Sequence, residues 1–188
     1  MPSGYLERLE RMFNFNVYGL RPDNRLPALG DANQTDVRGR MREGVELFPN
    51  RGDFLWAATT GKRGHPPVGT SYAFPYSGYL FMRSGWDTQA LLACLDVGPF
   101  GFGHQHEDKL SLVVSAYGKE LITDPGNYHY DRSIYRRHIL SAAGHNTVLI
   151  DGKGQTRHGE PDRWKYVVDK PLPHVWITEP AHDFAEGV

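Results

Sequence analysis

The chain has 188 residues, 39% hydrophobic and 23% charged, which is enough for one folded domain or for one domain plus part of another. A net charge of -1 excludes the bulk basic field that draws a protein to nucleic acid or to an anionic membrane surface. The single cysteine, Cys94, excludes an internal disulfide and a multi-cysteine zinc site, and no run approaches the roughly 18 apolar residues of a membrane span.

In chain order, the first segment reads as a helix. Ser3 is placed to cap it, and Leu6, Leu9 and Phe13 recur at spacings of three and four. Residues 21–33 are rich in Pro, Gly, Asp and Asn, which is loop chemistry. A second helix is predicted over about residues 36–48, with Thr35 or Asp36 as cap and Val37, Met41, Val45 and Phe48 as its apolar stripe. A short third helix is expected at residues 54–58, and residues 61–69, containing Gly-His-Pro-Pro, read as a connector.

Beyond the connector the pattern changes. Residues 78–83, 90–95, 110–117, 120–123, 146–150, 164–168 and 174–178 all read as strands. Turn signals separate them at residues 117–119, 124–126 and 151–154. This succession argues for an antiparallel sheet or sandwich. Two helices cannot bury their stripes by themselves, and the chain stops at Val188 without a cap or polar tail. The chain therefore reads as a fragment. Residues 1–68 form a helical segment left over from a larger helical domain, and residues 69–188 form a β-sandwich incomplete at its C-terminus.

The densest chemistry lies at residues 101–109, Gly-Phe-Gly-His104-Gln-His106-Glu-Asp-Lys. In an extended segment, residues two apart face one side, so His104 and His106 would present two imidazoles together. Imidazole is a common ligand for zinc and other transition metals. Two polar loop histidines fit the pattern equally well. Asp124 ends a predicted strand before Pro125-Gly126, where it suits either a metal or a turn. His145 opens residues 146–150, as a ligand or as a strand-end histidine bonded to backbone. Two His, one Asp and a water would suit a tetrahedral zinc.

Residues 71–86, Ser-Tyr-Ala-Phe-Pro-Tyr-Ser-Gly-Tyr-Leu-Phe-Met-Arg-Ser-Gly-Trp, resemble the start of the heparinase II/III sandwich domain. So do Gly-His-Gln-His-Glu-Asp-Lys-Leu-Ser at 103–111, Asp-Pro-Gly-Asn-Tyr-His-Tyr at 124–130 and Gly-His-Asn-Thr-Val-Leu-Ile-Asp-Gly at 144–152. These stretches cover about half the chain in the family's order. The resemblance implies an antiparallel β-sandwich preceded by a few helices from the end of an (α/α) toroid, the rest of the toroid lying in cis outside this chain. It implies that His106, Asp124 and His145 hold a zinc ion, that His104 faces the substrate cleft as a catalytic group, and that Tyr128 lies near the sugar. As a plain reading, Tyr128 is a rim aromatic.

The implied activity is β-elimination on a uronic-acid polysaccharide such as heparin, heparan sulfate or alginate. A base takes the C5 proton, the C4–O bond breaks, and the sugar carboxylate must be neutralised as charge builds. The family's catalytic tyrosine and its Asn or His partner lie on the toroid, and neither Tyr5 nor Tyr18 stands in a matching stretch. Zinc is expected to be structural, and this chain alone is expected to be inactive. Arg136, Arg137 and His138 would suit an acidic polymer, or simply a solvated charged face. Trp86 and Trp164 would suit sugar stacking or packing. The partner set is an acidic polysaccharide, with no nucleic acid and no membrane. The family expectation for location is periplasmic or secreted, although no signal peptide is visible. Two other classes compete. One is a non-catalytic, metal-stabilised carbohydrate-binding sandwich, and the other is a zinc hydrolase in which a metal-bound water attacks.

Overall fold

The computed structural model describes residues 2–101, 103–155 and 167–188. Helices α1 (Tyr5–Tyr18), α2 (Arg38–Leu47) and α3 (Gly52–Ala58) meet around Phe13, Val17, Leu20, Val37, Met41 and Phe54. The stripe of α1 runs through Leu9, Phe13 and Val17, while Leu6 is exposed. Ser3 is not its cap. Gly4, at φ 73°, is the last residue outside the helix, so Ser3 lies one position too early. At α2 the predicted stripe holds. Val37 occupies the cap position, and Asp36 Oδ1 accepts the Arg38 backbone N–H at 2.9 Å. The loop predicted at residues 21–33 contains β1 (Arg25–Leu26), which pairs antiparallel with β2 (Thr35–Asp36).

The sheet is a five-stranded antiparallel meander of β3 (Tyr72–Phe74), β4 (Tyr79–Arg83), β5 (Leu92–Asp96), β6 (Leu112–Ala116) and β7 (Lys119–Ile122), in that spatial order. Register places Phe81 opposite Cys94 and Cys94 opposite Val113, one buried row across three strands. Phe15 of α1 reaches this face and meets the rings of Phe74, Tyr79 and Phe81 edge-on at 5.2, 5.7 and 5.8 Å. Because α1 also carries Phe13 and Val17, it joins the helical core to the sheet core. Cys94 is buried here.

A final hairpin, β8 (His174–Glu179) with β9 (His182–Gly187), packs against β4 and makes a second layer. Ser71 Oγ donates to Asp183 Oδ2 at 2.6 Å, fastening it. The architecture is thus an antiparallel β-sandwich preceded by a few helices. The polar alternation of residues 182–187 hid β9, which exists through its pairing with β8.

Residues 146–150 form no strand. A 3₁₀ turn at Ala142–Gly144 leads into a turn at His145 and Asn146, and only Ile150 makes a bridge, to Lys153. Val148 and Ile150 are exposed, and among the described residues no strand pairs with this β-prone run. The basic run at residues 132–138 is largely helix α4 (Ile134–Leu140), capped by Ser133 Oγ, which accepts the Arg136 N–H at 3.1 Å. Of the strand predicted at 164–168, residues 164–166, including Trp164, lie outside the described residues, while Val167 bridges Phe100. Trp86 packs against the helical core, meeting the Trp56 ring at 5.5 Å.

Candidate metal centre and exposed histidine

Three separate segments deliver the cluster. The loop after β5 carries His106, the turn after β7 carries Asp124, and the 3₁₀ turn after α4 carries His145. All three are buried, and one donor atom from each lies within 4.8 Å of the other two. His106 Nδ1 is 3.2 Å from His145 Nε2, and His145 Nδ1 is 2.9 Å from Asp124 Oδ2. His145 Nε2 also meets the Ile139 carbonyl oxygen at 2.8 Å. Burial would lower the His145 pKa, but the hydrogen bond and charge of Asp124 outweigh it and hold the pKa above its ordinary value. Two imidazoles and a carboxylate, buried and convergent, are the donor set of a metal site. Asp124 also serves as a turn residue, since its Oδ1 accepts the Gly126 N–H at 3.0 Å. Gly126 sits at φ 62°, where a Cβ would come within 2.6 Å of the Ala32 carbonyl oxygen.

His104 behaves differently. It is not extended but has φ 58°, so the pair does not present its rings as strand neighbours. His106 is wholly buried, whereas the His104 side chain is 75% exposed. The two rings converge instead on Asp31, a loop residue that belongs to no recognisable motif. Asp31 Oδ1 accepts from His106 Nε2 at 2.9 Å and from Arg136 Nη2 at 2.6 Å, and Asp31 Oδ2 lies 3.1 Å from His104 Nδ1. Burial alone would raise the Asp31 pKa, but hydrogen bonds from His106, Arg136 and His104 bring it down to about 2. Its loop looked like a plain connector, and its partners stand more than seventy residues away.

Of the predicted basic face, Arg137 and His138 are exposed, and the exception is Arg136. It is buried, bound to Asp31 and to the Asn127 carbonyl oxygen at 2.7 Å, and it lies over the Tyr130 ring. Tyr130, not Tyr128, reaches His104, with its hydroxyl 3.1 Å from Nδ1. Tyr128 is half exposed at φ 59° and meets the rings of His129 and Tyr135.

Beneath the loop, burial pushes Asp96 from 3.8 up to about 6, against the pull of Lys109 Nζ at 2.6 Å. A raised carboxyl binds its proton more tightly in the folded state, so its contribution to stability is full below about pH 4 and lost as pH rises through about 6. Melting curves across that window should show this downward slope, and Asp96→Asn should flatten it. An unchanged slope in the variant would assign it to other groups.

An antiparallel sandwich holding a buried His/Asp/His cluster defines a β-sandwich protein with a candidate metal centre. The family description "Heparinase II/III-like, C-terminal" matches residues 66–187, and "Heparinase II/III N-terminus" matches residues 1–56. The chain belongs to the heparinase II/III-like family. It is 29% identical over 163 residues to a heparin-sulfate lyase of Bacteroides stercoris and 28% identical to one of Pedobacter heparinus, covering 81% of this chain and 24% of each relative. A solved heparinase III gene product superposes with a TM-score of 0.75 at 31% identity, over 81% of this chain and 25% of the other. The heparan sulfate lyase HepC of Pedobacter heparinus superposes with a TM-score of 0.79 at 24% identity, over 95% of this chain and 28% of its own. The chain thus spans about a quarter of the length of these relatives.

Proposed function

We propose that this chain is the sandwich-bearing part of a polysaccharide lyase that cleaves heparan sulfate or a related uronic-acid polymer by β-elimination. The carrying observation is the pairing of a buried His106/Asp124/His145 cluster with an exposed histidine, His104, on the same loop. The names of the relatives supply the reaction and favour heparan sulfate over alginate.

In this reading His106, Asp124 and His145 hold a zinc ion whose contribution is to tie three loops together. The chain's own groups do the rest. His104, with Nδ1–H towards Asp31, would take a second proton on Nε2 and donate that N–H to the uronate carboxylate, where the hydrogen bond gains strength as negative charge spreads onto it with loss of the C5 proton. Tyr128 contributes a ring at the edge of the cleft, against which a sugar packs. Deprotonation at C5 and protonation of the leaving oxygen fall to a tyrosine in the part of the protein beyond this chain. Tyr18 is not that group, because its ring is stacked on Tyr72 at 4.1 Å.

The test compares the full-length protein with this chain alone, reading the ultraviolet absorbance of the new double bond on heparan sulfate, heparin and alginate. Full-length protein should release unsaturated product, and this chain alone at least roughly a hundredfold less, since general acid–base groups account for factors of that size or more. Comparable release by the chain alone would overturn the division of labour. No unsaturated product from any of the polymers would overturn the lyase reading.

A further inference from the structure

We propose that Asp31 is a positioning residue that fixes the His104 ring with Nδ1–H against its carboxylate and Nε2 facing the cleft, while tying that ring to the metal centre through His106. The inference deepens the lyase reading and rests on it only for its consequence in turnover.

The geometry carries it. A carboxylate has about four lone-pair sites. One oxygen of Asp31 takes His106 Nε2 and Arg136 Nη2, and the other faces His104 Nδ1. The Tyr130 hydroxyl, 3.1 Å from His104 Nδ1, can accept from the same N–H. Three donors on a side chain only 6% exposed leave it little freedom to rotate. Because this carboxylate can only accept, the nitrogen of His104 beside it must carry hydrogen, and the other nitrogen is the one turned outward.

The backbone holds the same pair a second time. Asp31 N–H donates to the His104 carbonyl oxygen at 3.2 Å. The adjacent Gly30 sits at φ 54°, where a Cβ would come within 2.8 Å of that oxygen. His104 itself is held at φ 58°, a conformation that a non-glycine residue keeps only where its surroundings impose it. An exposed histidine on a loop would ordinarily sample several rotamers. This one is clamped at its backbone and at one nitrogen by a single residue from the helical part of the chain. Asp31 is thus also the outer partner of His106, in the way carboxylates orient metal-bound imidazoles.

The test uses the full-length protein with 15N-labelled histidine rings, read about two units above the ordinary histidine pKa of ~6.5. His104 is assigned by the signal lost in His104→Gln. In the unmutated protein, His104 should show a protonated Nδ1 and a bare Nε2. The opposite tautomer, or fast exchange between both, overturns the inference without any variant having to fold. Asp31→Asn should shift His104 towards the tautomer mixture of a free imidazole. In parallel it should lower kcat by about 10- to 100-fold, with KM changed less than about threefold and metal content retained. A variant with unchanged ring signals, or with unchanged kcat in an active enzyme, sinks the assignment. If the unmutated protein eliminates no uronate polymer at all, the lyase reading fails, and the ring signals still decide the positioning role.

Discussion

Replacing His106 with alanine should strip the metal and lower the melting temperature by roughly 6–20 °C. The argument runs through what His106 touches. Its ring is wholly buried, with one nitrogen 3.2 Å from His145 and the other 2.9 Å from Asp31. Truncation deletes a donor from a three-residue cluster, leaves Asp31 short of one partner and opens a void beneath the loop. Breaking a buried polar pair by removing one member costs about 3–5 kcal/mol, and at this chain length each kcal/mol moves the midpoint by about 2–4 °C. Chelation separates the contributions. Stripping metal from the unmutated protein should bring its melting temperature down towards that of the variant, and the variant itself should not respond to the chelator. Elemental analysis and melting curves on both proteins check this. If metal content and midpoint were unchanged in His106→Ala, the cluster would be a hydrogen-bonded network with no ion to hold.

Much of this arrangement was legible in the residues, and the reasons differ from part to part. The alternation of residues 79–83 and the apolar run at 90–95 announced β4 and β5, because strands buried in a sheet must carry such patterns. Residues 146–150 carried an equally strong β signal and failed, because a strand needs a neighbour and none of the described residues supplies one. The grouping of His106, Asp124 and His145 followed from the family resemblance, not from spacing. Asp124 and His145 lie far from His106 in sequence, and only the folding of β7 and α4 brings them to it. Asp31 and the buried role of Arg136 were invisible for the same reason, since a hydrogen bond between residues 31 and 136 leaves no periodic trace. The His-x-His pair was noticed for a geometry it does not have. The residues do act together, but by way of a carboxylate from the helical segment and not as neighbours on one strand face.

Replacing His104 with alanine in the full-length protein should produce the opposite profile to His106→Ala. Turnover on heparan sulfate should fall by about 10²–10⁴-fold, the range lost when a positioned acid–base or charge-stabilising group is removed. Metal content should stay the same, and stability should change by no more than about 0.5 kcal/mol, the usual effect at an exposed site. The contrast follows from burial. The His104 side chain is 75% exposed, and its hydrogen bonds go to Asp31 and Tyr130, not to the His/Asp/His cluster. Removing it frees one lone pair of Asp31, which still holds His106 and Arg136 at 2.9 and 2.6 Å. The loop should therefore keep its path. Two histidines separated by a single residue would then divide cleanly, one sustaining the fold and the other the reaction. A His104→Ala enzyme with full turnover would remove His104 from the chemistry. A variant that lost its metal along with its turnover would show that the two histidines form one structural unit, with no separate cleft-facing role for the exposed ring.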